Sequence, residues 1–205
     1  MIQSDQALTI NSKELHFVQI HYFNIPGVIL LSPKRIGDIR GVFSETFNAK
    51  NYQKAGIKGD FVQDNHSLSH QSYVIRGLHF QTPPFAQDKL GRVIRGSVLD
   101  VAVDIRHGSP TFGQHVSVIL SDKNWNQLWV PKGFAHAFCT LEPDTEFLYK
   151  VTNYYSPECD AGFAFDDPSL DINWPIPPGI EPILSDRDKN LPKLADLPEY
   201  FIYGN

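Results

Sequence analysis

The 205-residue sequence holds two cysteines, one methionine and no apolar run approaching the roughly eighteen residues that a membrane-crossing helix requires. Cys139 and Cys159 match no metal-ligand spacing and form no dense framework, which points to two ordinary thiols in a reducing compartment. The amino terminus, Met1-Ile-Gln-Ser-Asp-Gln-Ala-Leu, has neither the basic start nor the long apolar stretch of a secretory leader. Eighteen Lys and Arg stand against twenty-three Asp and Glu, for a net charge of −5, and the basic residues are scattered. No basic stripe exists to track a nucleic-acid backbone, so any phosphate must be met by a local pocket. The expectation is a cytosolic, soluble protein with neither a nucleic-acid nor a membrane partner.

What is present is strand. The length suits one domain, residues 1–205, large enough to bury about two thirds of its unfolded surface without a disulfide or metal. Residues 1–15 are polar and weakly patterned, and are expected to form a loose arm. From Phe17 onward, short runs rich in Val, Ile and Phe alternate with turn residues at even spacing, which predicts an all-β sandwich or barrel. In Val98–Arg106 the odd positions Leu99, Val101, Val103 and Ile105 make one apolar face, while Asp100, Ala102, Asp104 and Arg106 point the other way. That second face would be solvated in a simple sandwich; if it lines a barrel interior, Asp100 joins a site. Only residues 48–56 read as a short helix, with Asn48 as N-cap and Gly56 past the end. A helical tail is possible after Ser185, although prolines at 175, 177, 178 and 182 exclude long helices before it.

Tyr73-Val-Ile-Arg-Gly-Leu-His-Phe-Gln-Thr82 carries the strongest chemical signal: an apolar strand that places a permanent cation, Arg76, and a group titrating near neutrality, His79, around one glycine. Arg76 and His79 have opposite strand parity, so they share a face only if Gly77 introduces a bulge. Pro131-Lys-Gly-Phe-Ala-His136 matches the Pro-x-Gly-x-x-His turn of cupin sandwiches. Cupin metal sites normally take two ligands from a His-x-His pair, and this chain has none. His66, His79 and His136 remain a conceivable three-histidine set, but no metal is expected.

Eight ordered segments resemble the dTDP-4-dehydrorhamnose 3,5-epimerase family across roughly residues 22–190. They are Gly41-Val-Phe-Ser-Glu45, Phe61-Val-Gln-Asp-Asn-His-Ser67, Arg76-Gly-Leu-His-Phe-Gln81, Asp100-Val-Ala-Val-Asp-Ile-Arg106, Ser109-Pro-Thr-Phe-Gly113, Pro131-Lys-Gly-Phe-Ala-His136, Tyr149-Lys-Val-Thr-Asn-Tyr-Tyr155 and Ser185-Asp-Arg-Asp188. The resemblance implies a cupin-type jelly-roll β-sandwich with a few short peripheral helices, acting on a dTDP-linked 4-keto-6-deoxy sugar without metal, nicotinamide or other cofactor. C3 and C5 flank the C4 ketone, so a base can remove either proton, the charge passes to oxygen as an enolate, and reprotonation from the other face inverts the carbon.

By the same resemblance His79 is the base, Asp188 the carboxylate paired with it, Lys89 the cation facing the enolate, and Tyr149 the proton donor opposite. Asp186 is the alternative to Asp188, and Asp100 could orient Lys89. Arg76 takes the diphosphate, for which a guanidinium fork is well shaped. Gln63, Asn65, His136 and Tyr155 are implied binding residues. Arg40, Phe43 and Glu45 match positions that reach across a homodimer into the neighbouring pocket. Two positions depart from the family pattern: Ala137 stands for glycine in Ala-His-Gly-Phe, and Gly91 interrupts Lys-Leu-Val-Arg. A C3-only epimerase would need the same base and acid. Outside that class stand a metal-dependent cupin oxygenase and a protein that merely binds a nucleotide sugar.

Overall fold

The computed structural model describes residues 9–204. In chain order its elements are β1 (Thr9–Leu15), β2 (Val18–Phe23), β3 (Ile29–Pro33), β4 (Ile36–Asp38), β5 (Gly41–Phe43), α1 (Ala49–Lys54), β6 (Gln63–Ser69), β7 (Ile75–Gln81), β8 (Lys89–Arg95), β9 (Ser97–Asp104), β10 (His115–Ser121), β11 (Gln127–Val130), β12 (Phe134–Thr140), β13 (Thr145–Val151) and β14 (Asp160–Gly162). Seven strands pair in the order β1-β2-β3-β11-β8-β13-β6, and five in the order β10-β9-β12-β7-β14. The pairings are antiparallel throughout. This is the all-β sandwich that the strand pattern predicts, with the cupin-type architecture that the resemblance implies. β4 and β5 form a separate two-stranded hairpin.

Residues 9–15, expected within a loose arm, instead form β1, which runs from Leu15↔Val18 outward along β2. Their polar sequence suits an edge strand, where propensity and apolar pattern are weak guides. Residues 1–8 lie outside the described residues. The helix forms where expected: Asn48 Oδ1 accepts from Asn51 N at 3.3 Å, and Tyr52 is buried on its inner side. The helical tail does not form. Residues 188–190 and 194–196 make only single 3₁₀ turns.

Three apolar clusters hold the molecule together. One lies between the sheets and includes Val93, Val98, Ala102, Leu128, Phe138 and Phe147. A second covers the outer face of the five-stranded sheet, where Leu78, Val101, Val103 and Ile105 meet Phe163, Leu170 and Leu194 of the C-terminal segment. The third packs α1 against the seven-stranded sheet through Ile20, Leu31, Tyr52 and Trp129. Both faces of β9 are therefore buried, and Asp100 and Asp104 have no exposed surface. The odd face of β9 meets the tail, while Val98, Asp100 and Ala102 look toward the sandwich interior. Of the two readings of that strand, the barrel-interior one describes the molecule.

Candidate active site

A cavity of about 450 Å³ opens between the two sheets, lined from β6, β7, β8, β12, β13 and residues 183–188. Arg76 and His79 both face it, although strict alternation would separate them. The register shows how: His79 pairs with His136 and Arg76 with Phe138, so three steps on β7 oppose two on β12. Gly77 sits in this bulge at φ +121°, beside a cis Gly77–Leu78 peptide. A Cβ at Gly77 would stand 2.5 Å from the His136 carbonyl oxygen and 2.6 Å from the Ala137 Cβ, so no other residue fits.

His79 Nε2 lies 2.6 Å from Asp188 Oδ1. Asp188 is 5% exposed, while Asp186 is fully exposed and pairs with Lys189, so only one of the two aspartates meets the histidine. Burial alone would raise the Asp188 carboxyl, but the hydrogen bond and charge of His79, helped by Ser185 and Arg187, hold it below the usual carboxylate value. An ionised Asp188 can only accept a hydrogen bond, which selects the tautomer with Nε2–H donating to it and Nδ1 as the basic nitrogen.

Lys89 extends from the start of β8 into the same cavity, and its Nζ donates to the His79 carbonyl at 3.3 Å. Burial lowers its ammonium from 10.5 to about 8, against the opposing pull of Asp160 and Asp100. Near neutral pH it is still mostly protonated, in surroundings that give a cation long reach. Tyr149 faces the cavity from β13, and its phenol is raised by burial, with the Arg76 charge working the other way. A raised phenol stays protonated and able to donate.

His136 also lines the cavity, directly across from His79, with its Nε2 2.6 Å from Asp100 Oδ1. Asp100 Oδ2 is buried without a partner among the described residues. Two histidine–carboxylate pairs thus stand side by side. His66 does not join them: it lies on the outer face of β6, 2.9 Å from Glu146.

The remaining expected residues lie elsewhere. Gln63 and Asn65 hydrogen-bond each other at 2.9 Å on β6, and Asn65 borders a second depression near Arg92 rather than the main cavity. Tyr155 does not continue the face of Tyr149, because β13 ends at Val151; it is 56% exposed in the following loop. Arg40 and Phe43 project on the β4–β5 hairpin, with Phe43 69% exposed and Arg40 paired to Asp38. Glu45 is engaged locally, accepting from Asn48 Nδ2 at 3.0 Å and Asn51 Nδ2 at 2.7 Å beside the helix start.

Three residues near the cavity were not singled out from the sequence. Asp160 Oδ2 accepts from Tyr155 Oη at 3.1 Å and pairs with Arg187 Nη1 at 2.8 Å. Arg187 borders the cavity beside Asp188, inside a segment already recognised for its aspartate. Ser67 Oγ is buried without a partner among the described residues and continues the row Gln63, Asn65 on β6. That alternation was a readable signal.

The arrangement offers a base held in one tautomer, a cation, and an acid within one cavity. Comparison with known proteins agrees in sequence and in fold. The profile of the family described as dTDP-4-dehydrorhamnose 3,5-epimerase matches residues 22–196. A dTDP-4-dehydrorhamnose 3,5-epimerase of Shigella flexneri is 51% identical over 179 residues, 87% of this chain and 96% of that protein. The crystal structure of dTDP-6-deoxy-D-glucose-3,5-epimerase from Legionella pneumophila, in complex with dTDP-4-keto-L-rhamnose, superimposes with a TM-score of 0.86 at 44% identity, covering 92% of this chain and 100% of that one. A 3'-monoepimerase from Streptomyces bikiniensis, in complex with dTDP-quinovose, is 35% identical with a TM-score of 0.78, covering 84% and 86%.

Proposed function

Because the chain belongs to the dTDP-4-dehydrorhamnose 3,5-epimerase family, we infer that it is an isomerase that inverts C3 and C5 of dTDP-4-dehydro-6-deoxy-D-glucose, giving dTDP-4-dehydro-L-rhamnose for dTDP-L-rhamnose synthesis. The observation that carries the reading is the 2.6 Å His79–Asp188 pair in a cavity shared with Lys89 and Tyr149. His79 Nδ1 takes the proton from the carbon beside the ketone. Asp188 holds the opposite ring edge and stabilises the imidazolium that forms. The electron pair moves onto the C4 oxygen, and the Lys89 ammonium offsets that charge. Tyr149 then delivers a proton to the other face of the same carbon; the imidazolium gives up its proton and the tyrosinate regains one by exchange with solvent, and the second centre follows by the same cycle. A neutral imidazole is a weak base for a C–H, each pK unit of mismatch costing about 1.4 kcal/mol, so the cation must supply much of the difference.

Arg76, with Arg187 nearby, is suited to the diphosphate, and His136, Gln63, Asn65 and Tyr155 to the rest of the nucleotide sugar. A homodimer completes the site: Arg40 and Phe43, exposed on a hairpin away from their own cavity, serve the neighbouring subunit. Glu45, at the base of that hairpin, both anchors α1 and reaches the shared boundary. A cytoplasmic location fits the two free cysteines, one of them buried.

The test is incubation with substrate in deuterated water, read by NMR. Label at both carbons with formation of the L-rhamno product supports the double inversion. Label at C3 alone supports a monoepimerase, the activity named for the Streptomyces neighbour. Tight binding with no exchange at either carbon would overturn the catalytic reading.

A further inference from the structure

We propose that Gly91 and Phe147 form a positioning pair for Tyr149 and, through it, set how the deprotonated sugar divides between inversion and return. The proposal rests on the reading of Tyr149 as proton donor. It starts from a glycine with no conformational reason to be one. Gly91 is buried in the middle of β8, and its φ lies outside the left-handed region. A glycine inside a strand is less stable than alanine because it gives up more backbone freedom on folding, so another demand must hold it there. That demand is space for one ring: a Cβ at Gly91 would lie 2.6 Å from Phe147 Cζ and 3.3 Å from its Cε1, and its three nearest neighbours are all atoms of that ring.

The location of this gap matters. Gly91 is the direct cross-strand partner of Tyr149, and Lys89 stands two residues back on the same face of β8, opposite Val151. The strand therefore leaves a notch between the cation and the phenol. Phe147, with no exposed surface, leans diagonally into it. Its ring centroid is 4.5 Å from that of Phe138, stacked at 20°, and 6.0 Å from both His136 and Tyr149. One ring thus backs three side chains that line the cavity. Among the described residues Tyr149 Oη makes no hydrogen bond, so packing alone aims the phenol. Close packing transmits displacement, and a shift near 1 Å at a reacting group can cost about a hundredfold.

The predicted signature is a change in partition rather than a uniform loss. Gly91→Ala, Phe147→Leu and the double variant would be compared with wild type in deuterated water, reading solvent label in recovered substrate against inverted product. Each single variant is expected to lower the ratio of inversion to exchange about tenfold while exchange itself stays within about threefold. The double variant, in which a methyl group occupies room the smaller side chain vacates, is expected to regain much of the ratio. A ratio unchanged in folded variants, or exchange and inversion falling together, would overturn the proposal. If Gly91→Ala does not fold, Phe147→Leu, which only removes volume, decides alone. Tyr149→Phe, measured alongside, separates the layers. Should it leave the ratio unchanged, the donor assignment fails and the pair with it; should it alone shift the ratio, only the positioning inference falls.

Discussion

Replacing Lys89 with methionine should make the protein more stable and far less active, and the two effects have separate, calculable origins. The folded chain holds the ammonium at about 8 against 10.5 for a free lysine, because burial disfavours its charge. That difference corresponds to about 3 kcal/mol by which the charged group opposes folding. The group's folded value is the lower one, so the penalty is fully present below pH 8, fades as pH rises toward 10.5, and vanishes above. Methionine escapes it but forfeits the hydrogen bond to the His79 carbonyl, worth about 1 kcal/mol. A net gain of about 2 kcal/mol near pH 7 follows, or roughly 4–8 °C in Tm for a chain of this size. Loss of the charge facing the enolate should lower kcat by about 10²–10³. Urea midpoints for both proteins at pH 7 and pH 9.5, with exchange measured by NMR, test each part. A stability gap that fails to narrow at the higher pH would refute the buried-charge account; a variant retaining more than about a tenth of wild-type exchange would refute the enolate role.

Other outcomes follow from the same geometry. His79→Ala should abolish solvent exchange at both C3 and C5, whereas Tyr149→Phe should permit proton loss yet slow inversion; full turnover in His79→Ala would remove the imidazole from the reaction. Asp188→Asn leaves the shape but no longer selects the tautomer with Nδ1 free, and exchange should fall on the order of 10⁴ with little change in Tm, as in other histidine–carboxylate pairs. Mixing inactive His79→Ala with inactive Arg40→Ala/Phe43→Ala subunits should restore activity to about a quarter of wild type, because mixed dimers carry one intact shared site; no recovery after verified subunit exchange would place the hairpin outside the neighbouring pocket.

Much of this was readable from the chain, and the misses share a physical cause. The bulge at Gly77 followed from parity, because two chemically paired residues on opposite faces of one strand demand an irregularity between them. Alternation in β9 showed two distinct faces but not which one looked inward, since a period of two is symmetric until something covers one side. Asp160 opens the three-residue strand β14 and Arg187 lies outside any strand, so neither belongs to a run long enough for periodicity to link residues that meet only through the path of the chain. Tyr155 lies four residues past the end of β13, where side-chain alternation carries no information about which way it faces. The polar, weakly patterned residues 1–15 predict a loose arm, yet residues 9–15 form an edge strand, which needs only backbone partners on one side.

The course of the C-terminal segment links the stability of the fold to its chemistry. In a two-layer sandwich the inner faces normally supply the apolar core, which leaves little room for ionised groups between the sheets. Here the outer face of the five-stranded sheet is apolar as well, and Leu170, Leu194 and their neighbours cover it against Val101, Val103 and Ile105. Each such side chain contributes about 1.5–3 kcal/mol when fully buried. This second core lets the interior accommodate Asp100, His136 and Lys89, including a carboxylate oxygen with no partner among the described residues, at a cost of about 1–3 kcal/mol for that orphan alone. The covering segment does more than compensate. Asp188 and Arg187 lie on it, so the polypeptide that seals the outer face also brings the carboxylate to His79 and the guanidinium to Asp160. Loosening that seal should therefore disturb the tautomer of the base before it unfolds the sandwich.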